Sequence, residues 1–402
     1  MRKSIPVRLG LALGVPAVVL AGLEGGARLY LGDARLTDLP TGRSMDACAV
    51  RDPELGWVNK PGVRTRVEGP KLSYGVEIND RGLRDREHAY EKPDGVLRVA
   101  LLGDSLAWGW GVDNGLCFAD LAEAELGPGV EIINLGVPGY SNDQHLWMLE
   151  REGARYHPDL VLLCFTLNDV VGNGETESDE FAKPRYVRGP AGDWVLENSP
   201  VPMGDPPEPR AAFREWLWVH SGFLQLLQPA DSERELVREG REVVGRRQLT
   251  AAQASMLESE QAEVRALADE IADPESVTYM LLSRLHAACA ELGVPLVAFS
   301  IAHHHDRYLY SPGSPIPPRD ASGREHRTDV TVRLAEAGQR IGFQTFSVDQ
   351  AMLSETEAGV GLACGDGHLN ERGNEVVAGR IAEELRALLS GLRAGAPAGT
   401  ER

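Results

Sequence analysis

The chain has five cysteines, Cys48, Cys117, Cys164, Cys289 and Cys364, with no C-x-x-C pair among them and no spacing typical of metal ligands. That excludes a zinc ribbon and a thioredoxin-type redox motif. Basic charge is also scarce: 41 Lys and Arg face 60 Asp and Glu, a net charge of -19. A protein that tracks nucleic-acid phosphates is therefore excluded, and no nucleic-acid partner is expected. No internal repeat is present, so a solenoid is excluded as well. What the chain does have is length, 402 residues at 43% hydrophobic composition, enough for a full α/β core with an insertion or a small extra domain.

A long apolar run near the N-terminus stands apart. Arg2, Lys3 and Arg8 precede Leu9 to Leu23, after which Glu24 and Arg28 interrupt. The run is short for a bilayer span and fits the apolar part of a signal peptide or signal anchor. It is followed by no A-x-A cleavage site and contains no lipobox cysteine. The expectation is an uncleaved anchor in the cytoplasmic membrane, basic flank inside and the body exported. A buried helix of a cytosolic protein is the bland alternative, disfavoured because the run is apolar all round rather than amphipathic.

Beyond it, Gly, Pro and Asp are frequent up to Lys92, with strand-like pieces at Arg64 to Val67 and Tyr74 to Ile78. Then strands and helices alternate. Leu97 to Leu102 reads as a strand, Phe118 to Leu126 as a helix, Glu131 to Asn134 as a strand, Asn142 to Tyr156 as a helix and Leu160 to Phe165 as a strand. Such alternation implies a parallel sheet with crossover helices. Asn173 to about Arg210 reads as loop, and Ser232 to Ile271 as solvent-exposed helices rich in mixed charge. Alternation resumes with a helix at Ser276 to Leu292, a strand at Pro295 to Ser300, a helix near Val330 to Ile341, a strand at Gln344 to Val348 and a last helix from about Glu371 to Leu389. The expected divisions are a signal peptide or membrane anchor over 1–31 and a β-containing extension over 32–95. The main domain spans 96–392, with an insertion at about 173–275, and a disordered tail covers 393–402.

The strand Leu97 to Leu102 has no polar face and runs into Gly-Asp-Ser. A buried parallel strand ends where ligands bind, so Ser105 is placed on that rim. A serine hydroxyl needs a base within reach and donors aimed at the oxyanion it creates. "CGDGHLNERGNE" supplies Asp366 and His368 just before the last helix, with Asn370 as a candidate N-cap. In a short Asp-x-His turn the carboxylate can fix the imidazole tautomer. "NLGVPGYSND" offers Gly136 and Gly139, where backbone N–H groups can approach a ligand closely. "LCFTLNDV" offers the Asn168 amide at the end of an apolar run.

Gly-Asp-Ser after the first strand, Asn-x-Gly-x-x-Gly after the second, Asn-Asp after the third and a C-terminal Asp/His segment resemble the four blocks of the SGNH, or GDSL, hydrolase superfamily. The resemblance covers Leu97 to Val170 and about Gly365 to Gly373. It implies a flavodoxin-like three-layer α/β/α sandwich around a central parallel five-stranded sheet. By position it implies Ser105 as nucleophile, His368 as base and Asp366 as the acid that orients it. The implied oxyanion donors are the Ser105 N–H, the Gly139 N–H and the Asn168 amide. Two positions depart from the pattern. Thr166 stands where many members have glycine, and Asp366 stands two rather than three residues before His368, so another carboxylate or a backbone carbonyl is the alternative partner of His368.

Read alone, Ser105 would be a helix N-cap. Asp104 and Asp169 read as structural hydrogen-bond partners. Trp108 and Trp110 are candidates for a substrate-binding wall, with core packing the equal alternative. His303, His304 and His305 are adjacent and point apart, so no metal site is expected from them. The resulting expectation is a serine esterase acting, without cofactor, on small-molecule, glycan or lipid esters. The rivals are an O-acyltransferase of cell-envelope polysaccharide with the same site and a non-catalytic envelope binding protein. Oligomeric state is left open.

Overall fold

A computed structural model of the chain describes residues 21–23, 48–69, 72–178, 181–202, 251–301, 327–364 and 367–395. Of the expectations above, most of the apolar run before Leu23, the triplet His303 to His305, Asp366 and most of the tail lie outside the described residues, as do residues 203–250. Among the described residues no helix is long and apolar enough to cross a membrane.

Elements are numbered in chain order. Two antiparallel hairpins come first: β1 (Ala49–Asp52) with β2 (Gly56–Asn59), and β3 (Arg64–Gly69) with β4 (Leu72–Glu77). The main body follows with β5 (Leu97–Leu102), α1 (Ser105–Trp108), α2 (Phe118–Leu126), β6 (Val130–Asn134), α3 (Asn142–Arg151), a 3-10 turn at Gly153–Tyr156, β7 (Leu160–Phe165) and α4 (Leu167–Asn173). Short strands β8 (Glu177–Ser178), β9 (Phe181–Ala182), β10 (Arg185–Arg188) and β11 (Trp194–Glu197) form two further hairpins. The chain ends with α5 (Ala251–Ala272), α6 (Val277–Leu292), β12 (Leu296–Ser300), α7 (Asp329–Ile341), β13 (Gln344–Ser347), α8 (Asp349–Glu357) and α9 (Glu371–Gly395).

Five strands make one parallel sheet in the order β13-β12-β7-β5-β6. This is the doubly wound order whose switch point lies between the first and third strands, here β5 and β7. All six residues of β7 are buried, as the unbroken apolar run requires of a strand covered on both faces. Alternate side chains feed two separate cores. Ala100 and Leu102 pack with Leu146 of α3, Val264 of α5, Leu282 of α6 and Leu334 of α7. Val99 and Leu101 pack with Phe118 of α2, Met352 of α8 and Ile381 of α9. The result is the three-layer α/β/α sandwich.

Several local readings are corrected. The helix expected through Tyr156 stops at Arg151, and the chain tightens into the 3-10 turn before His157 adopts φ 50°. Leu167–Asn173, to which the sequence assigns no element, forms the short helix α4. Thr166 and Asp169 form a capping box that offsets the poor helix propensity of Asn and Gly in "LNDVVGN". Residues read as loop after Asn173 contain the β8 to β11 hairpins, and α9 runs through Gly395, into the expected tail. Helix α8 was not anticipated.

The hairpin segment is tied to the sandwich by a charge pair. Lys183, between β9 and β10, is fully buried, and its Nζ donates to Asp143 Oδ2 at 2.8 Å and to the Gly172 carbonyl at 2.7 Å. Burial pushes the Asp143 carboxyl up and the Lys183 ammonium pulls it back. Removing one partner leaves the other charge buried and alone. Lys183→Met is expected to lower unfolding free energy by about 3–5 kcal/mol in urea titrations, with part of the loss recovered in Lys183→Met/Asp143→Asn.

Candidate active site

The site begins where β5 runs out of sheet. Gly103 turns the chain in space that a side chain could not share: a Cβ there would lie 2.6 Å from Ala107 Cβ and 3.1 Å from Cys164 Cβ. Asp104 then caps α1, accepting from the Leu106 N–H at 2.9 Å with Oδ1 and from the Thr166 hydroxyl at 2.9 Å with Oδ2. The cap of this helix is therefore Asp104, and Ser105 is its first residue. Burial raises the pKa of Asp104, while the Leu106 N–H, the Thr166 hydroxyl and the His368 side chain favour its charged form. Gly109 closes the helix at φ 88°, a conformation that strongly favours glycine, and donates to the Ser105 carbonyl at 3.1 Å.

A four-residue helix cannot hold itself, and the last carbonyls of α1 are held from outside. The Arg84 guanidinium donates to the Trp108 carbonyl at 3.0 Å, to the Gly109 carbonyl, and to the Gly75 carbonyl at 3.0 Å. It also lies 4.4 Å above the Trp108 ring.

His368 arrives from the opposite end of the chain. Just before α9, the Cys364 N–H donates to its carbonyl at 2.6 Å, and Asn370 Oδ1 accepts from the Gly373 N–H at 2.9 Å, capping the helix. Helix α9 is fastened to α2 by Asn374, whose Oδ1 accepts from the Phe118 N–H at 2.9 Å. His368 Nε2 thereby comes to 2.8 Å from Ser105 Oγ across 263 residues of sequence. Both residues are buried, His368 to 6% and Ser105 to 8% exposure.

The loop after β6 lies against α1. A Cβ on Gly136 would meet the Trp108 backbone nitrogen at 2.6 Å. Its N–H groups are nearly all spent: Leu135 donates to Leu101, Gly136 to Asn134 Oδ1, Val137 to Gly103 and Tyr140 to Val137. Pro138 has none to give. The Gly139 N–H makes no hydrogen bond among the described residues, and neither does the Ser105 N–H. Asn168 is half-buried in the first turn of α4, beyond the end of β7. The structure thus sets Ser105, Gly139 and Asn168 after the carboxyl ends of three adjacent strands and brings His368 to the first of them.

Trp108 is not a wall of the site. Its ring is 1% exposed and its Nε1 donates to Asn59 Oδ1 at 3.1 Å, so it belongs to the core. Trp110, 7% exposed, sets its ring 5.5 Å from the His368 imidazole. Among the described residues no cluster of His, Cys, Asp and Glu is suited to a metal ion. Sequence reasoning missed Trp57, Asn59 and Arg84, three residues of the N-terminal extension that hold the loops carrying Ser105 and Gly139. A lone buried arginine or asparagine in a Gly- and Pro-rich stretch gives no local signal of such a partner.

Compared with protein families, residues 101–376 match the GDSL-like lipase/acylhydrolase family, more than half of the chain. The chain belongs to that family. It is a hydrolase that acts on ester bonds. No curated protein matches the chain. Among solved structures it is similar to a lipolytic protein of the G-D-S-L family from Veillonella parvula (12% identity, 72% of this chain and 97% of that one, TM-score 0.35). It is also similar to the acetyl xylan esterase AlAXEase (11% identity, 72% and 100%, TM-score 0.36) and to the M. Smegmatis aryl esterase (12% identity, 73% and 100%, TM-score 0.32).

Beneath the site lies His145 of α3, fully buried, with burial pushing its pKa from the ordinary 6.5 down to about 3 and the Gly103 carbonyl offsetting only part. Between those values the unfolded chain binds a proton that the folded chain refuses, so this residue subtracts stability as pH falls. The slope is about 1.4 kcal/mol per pH unit. Measured by urea unfolding between pH 7 and pH 5, the wild type should lose about 2 kcal/mol more than His145→Gln. Equal losses would show that His145 titrates normally in the folded chain.

Proposed function

We propose that this GDSL-family hydrolase is a serine esterase in which Ser105 is the nucleophile and His368 its base. The observation that carries the reading is the 2.8 Å contact between Ser105 Oγ and His368 Nε2, made by residues that share no local reason to meet. His368 Nε2 takes the hydroxyl proton as Ser105 Oγ bonds to the ester carbonyl carbon, whose oxygen becomes an oxyanion. The N–H groups of Ser105 and Gly139, unspent among the described residues, are with the Asn168 amide the donors assigned to that oxyanion. As the tetrahedral intermediate collapses, the C–O bond to the leaving alcohol breaks and His368 returns the proton to it. Water then attacks acyl-Ser105 through the same base and releases the acid. Asp366, two residues before His368 in the sequence, is the acid assigned to orient the imidazole.

An acylated carbohydrate or lipid is the substrate class we assign. Support comes from the N-terminal sequence, where Arg2, Lys3 and Arg8 flank an apolar run that suits a membrane anchor with the catalytic domain exported. The experiment is hydrolysis of p-nitrophenyl acetate and p-nitrophenyl palmitate by the wild type, Ser105→Ala and His368→Ala. Each variant should lose about 10³-fold or more in kcat, and the double variant should be little worse than either alone, since the two act as one unit. Turnover by Ser105→Ala at the wild-type rate would overturn the assignment. Preference for acetate would favour carbohydrate esters, and preference for palmitate lipid esters.

A further inference from the structure

The residues Val137 to Tyr140 form a tight turn, closed by the Tyr140 N–H donating to the Val137 carbonyl at 3.2 Å. Pro138 occupies its second position and Gly139, at φ 77°, its third. That is the pattern of a type II turn. Types I and II differ by a flip of the central peptide, here the one joining Pro138 to Gly139. Pro at the second position and Gly at the third favour type II, but glycine also admits type I, so the turn's own residues bias the choice without locking it. The choice matters because the peptide is planar and trans. Its C=O and N–H point in opposite directions, and the flip reverses both.

One side chain decides between them. Trp57 of β2 donates from its indole Nε1 to the Pro138 carbonyl at 3.0 Å. The indole is fully buried. Its ring is held between Tyr140, 5.4 Å away edge-on, and Phe181, 5.5 Å away, and the Tyr140 hydroxyl donates to the Trp57 carbonyl at 2.6 Å. Flipping the peptide would strand a buried indole N–H with no acceptor. The carbonyl is thus fixed toward the extension, and the Gly139 N–H is fixed away from it. This is the same N–H that stays unspent among the described residues while its neighbours in the loop are paired.

We propose that Trp57 is a positioning residue for the oxyanion site: its indole N–H holds the Pro138–Gly139 peptide in the orientation that presents the Gly139 N–H to the developing charge. The proposal rests on the serine-esterase reading above. Trp57 lies outside residues 101–376, so the extension supplies a part of the catalytic apparatus that the family-matched segment does not contain.

The test is Trp57→Phe in the full chain, which keeps a ring between Tyr140 and Phe181 and deletes the N–H. On p-nitrophenyl acetate kcat should fall about tenfold or more with KM within about twofold, because the lost interaction serves the transition state. Phe181→Leu loosens the same indole and removes no donor; it should lower the melting temperature and cost clearly less kcat than Trp57→Phe. If Trp57→Phe does not fold, β-(3-benzothienyl)alanine at position 57 has nearly the shape of tryptophan and lacks the N–H, and the same fall in kcat is expected. A folded variant of either kind with kcat within twofold of wild type would overturn the proposal, and so would equal losses in Trp57→Phe and Phe181→Leu. An inactive Ser105→Ala beside a fully active Trp57 variant would overturn the role of Trp57 alone. An active Ser105→Ala would overturn both readings.

Discussion

A hydrogen bond of 2.8 Å between a hydroxyl and an imidazole 263 residues apart tolerates little error in the position of either partner. Much of the fold can be understood from that demand. Ser105 is fixed by a one-turn helix capped in front by Asp104, bonded across the switch point to Thr166 of the next loop, and held behind by Arg84. His368 is fixed by its backbone bond to Cys364 and by the Asn370 and Asn374 contacts that seat α9 against α2. Both anchors rest on one rigid object, the parallel sheet whose strands β5 and β7 bury every residue from Val99 to Leu102 and from Leu160 to Phe165.

The N-terminal extension is bound into this object rather than laid beside it. Arg98 at the start of β5 is 1% exposed and donates to the carbonyls of Ala89, Tyr90, Glu91 and Tyr156, with Glu131 as its counter-ion at 2.8 Å. Arg84 repeats the arrangement at the other end of the strand, on the carbonyls of the α1 turn. Burying a guanidinium is costly unless its donors are met, and here backbone carbonyls meet them. The extension and the sandwich therefore stabilise each other through bonds that neither could complete alone.

Legibility in the sequence followed the range of the forces involved. Leu97 to Leu102, Phe118 to Leu126 and Leu160 to Phe165 carry their own signals, an unbroken apolar run or a helical period, and their boundaries agree with the structure. The rim positions of Ser105, Gly139 and Asn168 followed from strand ends. Elements held by distant partners were not legible. Helix α4 depends on a capping box in a stretch of poor helix formers, and β1 and β2 are four residues each, stabilised by the contacts of Leu55 and Trp57 with α3 and the β6 loop. Trp108 was ambiguous because a tryptophan beside a nucleophile reads equally as wall or core; its indole N–H bond to Asn59, 49 residues earlier, settles it as core.

The same Asn59 ties the extension to two of the loops at the rim of the sheet. Its Oδ1 accepts from Trp108 in α1, while its Nδ2 donates to the Gly136 carbonyl at 3.4 Å and to the Gly82 carbonyl at 3.0 Å. One buried amide thus joins the loop that carries Ser105 to the loop that carries Gly139, whose N–H makes no hydrogen bond among the described residues. An oxyanion donor contributes to rate only if it is already aimed before charge develops, since reorienting it during the reaction would spend the energy it supplies. Glycine allows the loop its turn but leaves it free to turn otherwise. Rigidity has to come from elsewhere, and in this chain it comes from side chains of β2 and of the residues that follow β4.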